Sequence, residues 1–147
     1  MGQDDILRIE ELCTFFYTQE GVVKAVDGAT FTVKRGKVLG IVGESGCGKS
    51  VTAQSVLRIV PPPGRIIKGK ILYYRQHDDN GSGAVSELVD LAELHPRGRE
   101  MRDIRGGEIS MVFQEPMTSL DPVYTIGAHL TEAITPVSYT HLTLPTN

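Results

Sequence analysis

The stretch Gly43-Glu44-Ser45-Gly46-Cys47-Gly48-Lys49-Ser50 fits the pattern G-x-x-x-x-G-K-[ST]. Its glycines permit the sharp backbone turns by which successive N–H groups face one anion. Lys49 would reach the outer phosphates of a nucleotide, and the hydroxyl of Ser50 would bind Mg²⁺. We therefore predict that these eight residues, together with Val51 after them, bind a nucleotide. The alternative is a glycine-rich turn without a ligand.

The residues on either side of this loop supply the context that a phosphate-binding loop requires. Val38 to Val42 is a continuous apolar run, which predicts a strand buried on both faces. Lys49 to Ile59 holds neither glycine nor proline and is predicted as a helix. Pro61-Pro62-Pro63-Gly64 is expected to stop that helix. A loop between a buried strand and a helix N-terminus favours the phosphate-binding interpretation.

The segment before residue 36 has short apolar runs separated by turn residues. We predict that its strands form an antiparallel edge beside the buried strand, over Ile6–Thr14, Val22–Val26 and Ala29–Val33. Turns are predicted between and after these strands, at Gln19–Gly21, Asp27–Gly28 and Lys34–Gly36.

The segment after the proline run alternates between strand and helix signals. Ile66–Tyr73 is predicted as a strand and His77–Gly83 as a loop. Ser86–Leu94 fits a short helix, and Ile109–Phe113 is predicted as a second buried strand. Ile126–Ile134 is expected to begin a further helix.

Composition excludes several classes of protein. The chain has 147 residues, of which 40% are hydrophobic and 22% charged, as in an ordinary globular domain rather than a collagen, a disulfide scaffold or a disordered chain. The net charge of −3 gives no reason to expect a nucleic-acid partner. Two cysteines fit free thiols of a reducing compartment, and the acidic N-terminus does not resemble a secretory signal.

A second block carries the resemblance to a known family. Ile109-Ser110-Met111-Val112-Phe113-Gln114-Glu115-Pro116 and the residues to Pro122 resemble the Q-loop region of ABC transporter ATPases. The phosphate loop and the leader Gly21–Gly28 are similar to those of the oligopeptide and dipeptide importer subunits. The likeness covers Ile6 to about Thr135, with a gap around the middle loop.

The resemblance implies a fold class and cofactors. The fold would be α/β, a P-loop NTPase of the ABC type with an antiparallel β edge, that stops before the signature and Walker B motifs. The cofactors would be ATP and Mg²⁺.

The family also assigns roles to residues outside the phosphate loop. An aromatic residue upstream stacks on adenine, and the spacing favours Phe16, with Tyr17 as the runner-up. The alternative is that these rings pack under the antiparallel sheet. Gln114 corresponds to the Q-loop glutamine, whose amide oxygen reaches the metal or the attacking water. Its alternative role is to cap backbone groups at a strand end. The metal ligands implied are thus Ser50 and Gln114.

The family's function requires motifs that these 147 residues do not show. We find no LSGGQ-type signature and no apolar run ending in Asp-Glu, so no general base is assigned and the chain is expected to be inactive alone. The implied function is that of an ATP-binding subunit which couples ATP hydrolysis to peptide uptake. Alternatives are a nickel or glutathione importer, or a non-catalytic nucleotide-binding or interaction fragment.

The implied partners are membrane permease subunits, a second identical or different ATP-binding subunit and, indirectly, a solute-binding protein. The implied location is peripheral, on the cytoplasmic face of the inner membrane. No nucleic-acid partner is expected.

The C-terminal residues differ in character from the rest. From Ala133 onward there is no Asp, Glu, Lys or Arg, and 136–147 resembles a translated adapter sequence. We expect a partial ABC ATP-binding domain over 1–135 and a non-native tail over 136–147. The alternative is an ordinary polar terminus.

Overall fold

The computed structural model describes residues 4–78, 84–113, 121 and 123–131. Its elements are, in chain order, strand β1 (Asp5–Thr18), strand β2 (Gly21–Lys34), helix α1 (Lys49–Val56), strand β3 (Gly64–Asp78), strand β4 (Ala84–Asp90) and helix α2 (Arg99–Gly107). The four strands form one antiparallel sheet in the order β2-β1-β3-β4. Within the part of the chain that the structure describes, none of the helices combines the length and the apolar composition of a transmembrane span.

The chain divides into two compact units, Met1–Met101 and Arg102–Asn147. The first unit contains the whole sheet, the phosphate loop and α1. Its most deeply buried apolar side chains come from the sheet, the segment after β4 and the start of α2: Ile9, Leu12, Ile71, Leu91 and Met101. In the second unit, residues 126–131 are helical, which agrees with the helix start predicted there.

The antiparallel sheet before the phosphate loop is confirmed, with one correction. A single strand, β2, passes through Asp27 and Gly28, where we predicted a turn. Gly28 has φ +78° and lies close to register shifts between β1 and β2, so the local signal marks an irregularity inside a strand. Turns at residues 19–20 and 35–36 lie where they were predicted.

The predicted helix after the loop and the strand after the proline run are both present. Helix α1 begins at Lys49 but ends at Val56, before the proline run that we expected to stop it. Strand β3 contains the predicted Ile66–Tyr73 and continues to Asp78. Thus the first two residues of the predicted loop His77–Gly83 belong to β3, and residues 79–83 lie outside the described part.

The helix predicted for Ser86–Leu94 is wrong. Residues Ala84–Asp90 form β4 instead, and they pair with β3 from Asp78↔Ala84 to Leu72↔Asp90. Pairing with a neighbouring strand outweighs the weak local helix signal, because strand formation depends on cross-strand contacts more than on intrinsic propensity.

The two predicted buried strands are also wrong. Residues 38–42 have no regular structure, and Val38 and Val42 are 99% and 97% exposed. Residues 109–113 are irregular as well, with Val112 93% exposed. A strand that is apolar on both faces needs hydrogen-bonded neighbours and a layer over each face. Among the described residues, no strand pairs with either segment.

Candidate functional site

The phosphate loop has the backbone that its glycines permit. Gly46 and Gly48 have φ +82° and +90°, in the left-handed region that favours glycine. A Cβ built on Gly43 would lie 2.6 Å from the Sγ atom of Cys47, so the two ends of the loop approach each other closely. The Cys47 N–H donates to the Glu44 carbonyl oxygen across 3.4 Å.

Strand β2 lies directly against the end of this loop. A Cβ on Gly48 would overlap the carbonyl oxygen of Ala25 and would lie 3.6 Å from a methyl group of Val26. Only glycine allows this approach, so the position of the loop is fixed by the sheet. The sequence pattern identified Gly48, but nothing in it indicated that Ala25 is its neighbour.

Lys49 folds back over the loop. Its Nζ donates to the carbonyl oxygens of Gly43 and Glu44, at 2.7 and 2.6 Å, and lies 3.3 Å from the Sγ of Cys47. The ammonium group therefore sits at the mouth of the turn formed by the loop. A phosphate oxygen brought there would meet a positive charge at hydrogen-bond distance.

Helix α1 presents its N-terminus at the same place. Gly48 is its N-cap residue and no side chain caps the helix. The N–H groups of Lys49, Ser50 and Val51 have no acceptor within the helix, because the first helical bond is Thr52 N–H to the Gly48 carbonyl oxygen, at 2.8 Å. A phosphate group suits these donors and the positive end of the helix.

The remaining predicted loop residues lie where a ligand could reach them. Glu44, Ser45, Cys47 and Ser50 are exposed, and Val51 is half-buried in the first turn of α1. The Ser50 hydroxyl is thus accessible to a metal ion bound with a nucleotide. The predicted Q-loop residue Gln114 lies outside the described residues.

A buried hydrogen bond that the sequence did not indicate holds α1 on the sheet. Thr14 Oγ1 and Ser55 Oγ are 2.9 Å apart, and both side chains are fully buried. Since the Ser55 hydroxyl donates to the Val51 carbonyl oxygen at 2.7 Å, the Thr14 hydroxyl is the donor of the pair. This bond positions the helix whose N-terminus completes the loop.

The two aromatic candidates occupy different environments. Ring atoms of Phe16 lie 2.7 and 2.9 Å from the position that a Cβ on Gly64 would take, so this ring packs against the start of β3. Tyr17 is 47% exposed. The packing of Phe16 corresponds to the alternative role considered for these rings, and adenine stacking by Phe16 or Tyr17 stays a prediction.

A cavity of about 570 Å³ adjoins the loop. Cys47 and Lys49 line one side of it, and residues of β2 from Ala25 to Phe31 line another. The exposed apolar segment 39–42 completes the wall. Lys49 therefore borders a space large enough for a small-molecule ligand.

Comparison with known proteins identifies a family for this chain. A family model described as "ABC transporter" matches residues 26–142. The chain is 43% identical over 132 residues to a probable peptide ABC transporter ATP-binding protein, y4tR, of Sinorhizobium fredii. The aligned residues are 89% of the chain and 35% of that relative.

Two further relatives have similar names. The oligopeptide transport ATP-binding protein OppD of Bacillus subtilis is 40% identical over 130 residues, 88% of the chain and 32% of that protein. The glutathione import ATP-binding protein GsiA of Escherichia coli is 38% identical over 131 residues, 88% of the chain and 19% of that protein. The chain thus spans about a third of the length of the first two relatives.

Proposed function

The chain belongs to the ABC transporter family, and we propose that it is the phosphate-binding part of an importer's ATP-binding subunit. The observation that carries the proposal is the loop itself. It brings the Lys49 ammonium, the uncapped N-terminus of α1 and the Ser50 hydroxyl to one place. These are the groups that bind the phosphates of a nucleotide and its Mg²⁺.

Different groups of this chain would bind different parts of the Mg²⁺–nucleotide complex. Lys49 neutralises charge on the outer phosphates, and the N–H groups at the start of α1 donate to the phosphate oxygens. Ser50 contributes its hydroxyl to Mg²⁺. Bound ATP would supply the phosphoryl-transfer free energy that drives transport. Because Gly48 packs on Ala25, the donors are positioned before a ligand arrives, which lowers the entropic cost of binding.

The proposed cargo is a dipeptide or oligopeptide, because two of the relatives described above are named for peptide transport. Glutathione, itself a small peptide, is the alternative that a third relative supports. The proposed partners are membrane permease subunits, a second ATP-binding subunit and, indirectly, a solute-binding protein. The subunit would lie on the cytoplasmic face of the inner membrane.

Replacement of Lys49 tests the proposal. We expect Lys49→Ala to weaken binding of a fluorescent ATP analogue by at least about tenfold, since the substitution removes the loop's cation. The matched control is Lys70→Ala, which removes an exposed lysine from β3. Equal affinity of the Lys49→Ala variant and the unmodified chain in a fluorescence titration would contradict the assignment.

A further inference from the structure

Just after the C-terminus of α1, one non-glycine residue has a left-handed backbone conformation. The Arg58 N–H donates to the Ser55 carbonyl oxygen at 3.1 Å, and the Ile59 N–H donates to the Gln54 carbonyl oxygen at 3.0 Å. This pair of bonds is a Schellman motif, whose left-handed position is usually glycine. Here the position is Arg58, with φ +55°. A side chain retained at a strained backbone position suggests a role for that side chain.

The Arg58 side chain lacks a hydrogen-bond acceptor among the described residues around it. Its Nε is buried and has no hydrogen-bond partner. Burial lowers the pKa of the Arg58 guanidinium, while the negative charge of Asp90 opposes that change. Arg35 also has a buried Nε without a partner, but its Nη2 donates to the Tyr74 carbonyl oxygen at 3.1 Å. Within the described residues, no such bond is found for the Arg58 side chain.

Arg58 lines a small cavity, which we call the Arg58 pocket. It has a volume of about 220 Å³ and is lined by Arg58, Val60, Gly64, Arg65, Ile66 and Pro96. These lining residues, all within the described part of the chain, include two arginines and no acidic residue. The pocket lies at the end of α1 opposite the phosphate loop, so a ligand there would not compete for the loop's donors.

Asp90 does not supply the missing acceptor. Its Oδ1 accepts hydrogen bonds from the N–H groups of Ile71 and Ala92, both at 3.0 Å, and so ties β4 to β3. No ion pair within 4.0 Å joins Asp90 to Arg58 in the described structure. Its charge attracts the guanidinium, but the Nε–H stays without a partner.

We propose that the Arg58 pocket binds a small oxyanion, the phosphate or carboxylate group of a soluble ligand, through the Arg58 guanidinium. A guanidinium is planar, keeps its charge and donates in a fork that matches two oxygens of such a group. Because Nε is buried, the two Nη groups, which have no hydrogen bond in the described structure, would donate to the oxyanion. Its charge would offset the desolvation of the cation. The cavity volume suits a group of a few heavy atoms.

Arginine side-chain NMR tests this proposal directly. In the whole chain carrying Lys49→Ala, to weaken anion binding at the phosphate loop, the Nε–Hε resonances are followed while sodium phosphate or, separately, sodium acetate is added at constant ionic strength. The Arg58 resonance is assigned by its loss in Arg58→Gly. We expect it to shift saturably with at least one anion, and the stronger of the two identifies the ligand class. Absence of a saturable shift with both anions overturns the proposal.

Stability measurements separate a ligand-binding role from a structural one. Glycine suits φ +55°, so Arg58→Gly should unfold at the same temperature as its parent or higher in buffer without phosphate. The anion that shifts the resonance should raise the unfolding temperature of the parent and not of this variant. Arg58→Lys, which keeps the charge and loses the fork, should bind the anion about tenfold more weakly. A clear loss of stability in Arg58→Gly without anion would show that the side chain is structural, against the proposal.

Discussion

Gly48 lies where the phosphate loop touches β2, with its backbone in the left-handed region. We expect Gly48→Ala to lower the free energy of unfolding by about 2–5 kcal/mol, from backbone strain and overlap with the Ala25 carbonyl group. The matched control is Gly36→Ala. Gly36 also has positive φ, at +65°, but a Cβ there meets nothing within 4 Å, so only strain of about 1–2 kcal/mol is expected. Urea denaturation of both variants measures the difference, and equal losses would show that the overlap is relieved without cost.

Cys47 offers a chemical probe of the same loop. Its thiol is exposed and 3.3 Å from the Lys49 Nζ, whereas the other thiol, Cys13, is buried. We expect iodoacetamide to modify Cys47 well before Cys13 in the folded chain, and the bulkier side chain to block nucleotide binding. Mass spectrometry gives the order of modification, and an ATP-analogue titration gives the affinity, with Cys47→Ser as the unreactive control. Full affinity after complete modification of Cys47 would argue against the loop geometry.

At the level of single residues, the motif indicated the backbone of the loop, since its glycines Gly46 and Gly48 adopt the positive φ that other residues rarely take. Nucleotide binding by Lys49 and Ser50 stays a prediction. The contact between Gly48 and Ala25 could not be predicted, because it depends on how a separate strand lies against the loop.

Helix α1 is held on β1 by the bond between Thr14 and Ser55. The two partners are not equivalent, because the Ser55 hydroxyl also donates to the Val51 carbonyl oxygen. Ser55→Ala leaves the buried Thr14 hydroxyl without an acceptor and should cost about 1–3 kcal/mol of stability. Thr14→Val leaves Ser55 with its Val51 partner and should cost less, about 0.5–1.5 kcal/mol. Chemical denaturation of both variants gives the order of the costs, and a larger loss for Thr14→Val would reverse our assignment of the donor.

Helix α1 was predicted correctly from a local signal, whereas three segments whose structure depends on distant partners were not. Helix α1 follows from a glycine-rich loop and a run without helix breakers. The run Val38–Val42 has the composition of a buried strand, but the described residues pair no strand with it. Residues Ala84–Asp90 form a strand because β3 lies beside them, and their own sequence carries no sign of that neighbour.

At the scale of the molecule, the phosphate loop and the block from Ile109 to Pro122 together predicted the family, which the match over residues 26–142 confirms. The cargo could not be predicted in the same way. A phosphate-binding loop meets a nucleotide and not the transported solute, so its residues carry no information on the solute's chemistry.

A further prediction is that the whole chain binds ATP but does not hydrolyse it. The 147 residues contain a phosphate-binding loop but no Walker B run and no signature sequence. We therefore expect the pure chain to bind ATP without steady hydrolysis, since no general base is positioned by its sequence. A phosphate-release assay checks this, with Lys49→Ala as the background control. Robust turnover that disappears in Lys49→Ala would show that a base is present after all.

Proton–nitrogen NMR of the whole chain tests whether residues 43–51 bind the phosphates of a nucleotide. The backbone N–H resonances of Gly46, Gly48 and Lys49 are followed during a titration with Mg-ATP. We expect dispersed resonances and saturable shifts that are largest at these three residues and at Ser50 and Val51. Collapsed resonances, or shifts by Mg-ATP that leave the loop unchanged, would contradict it.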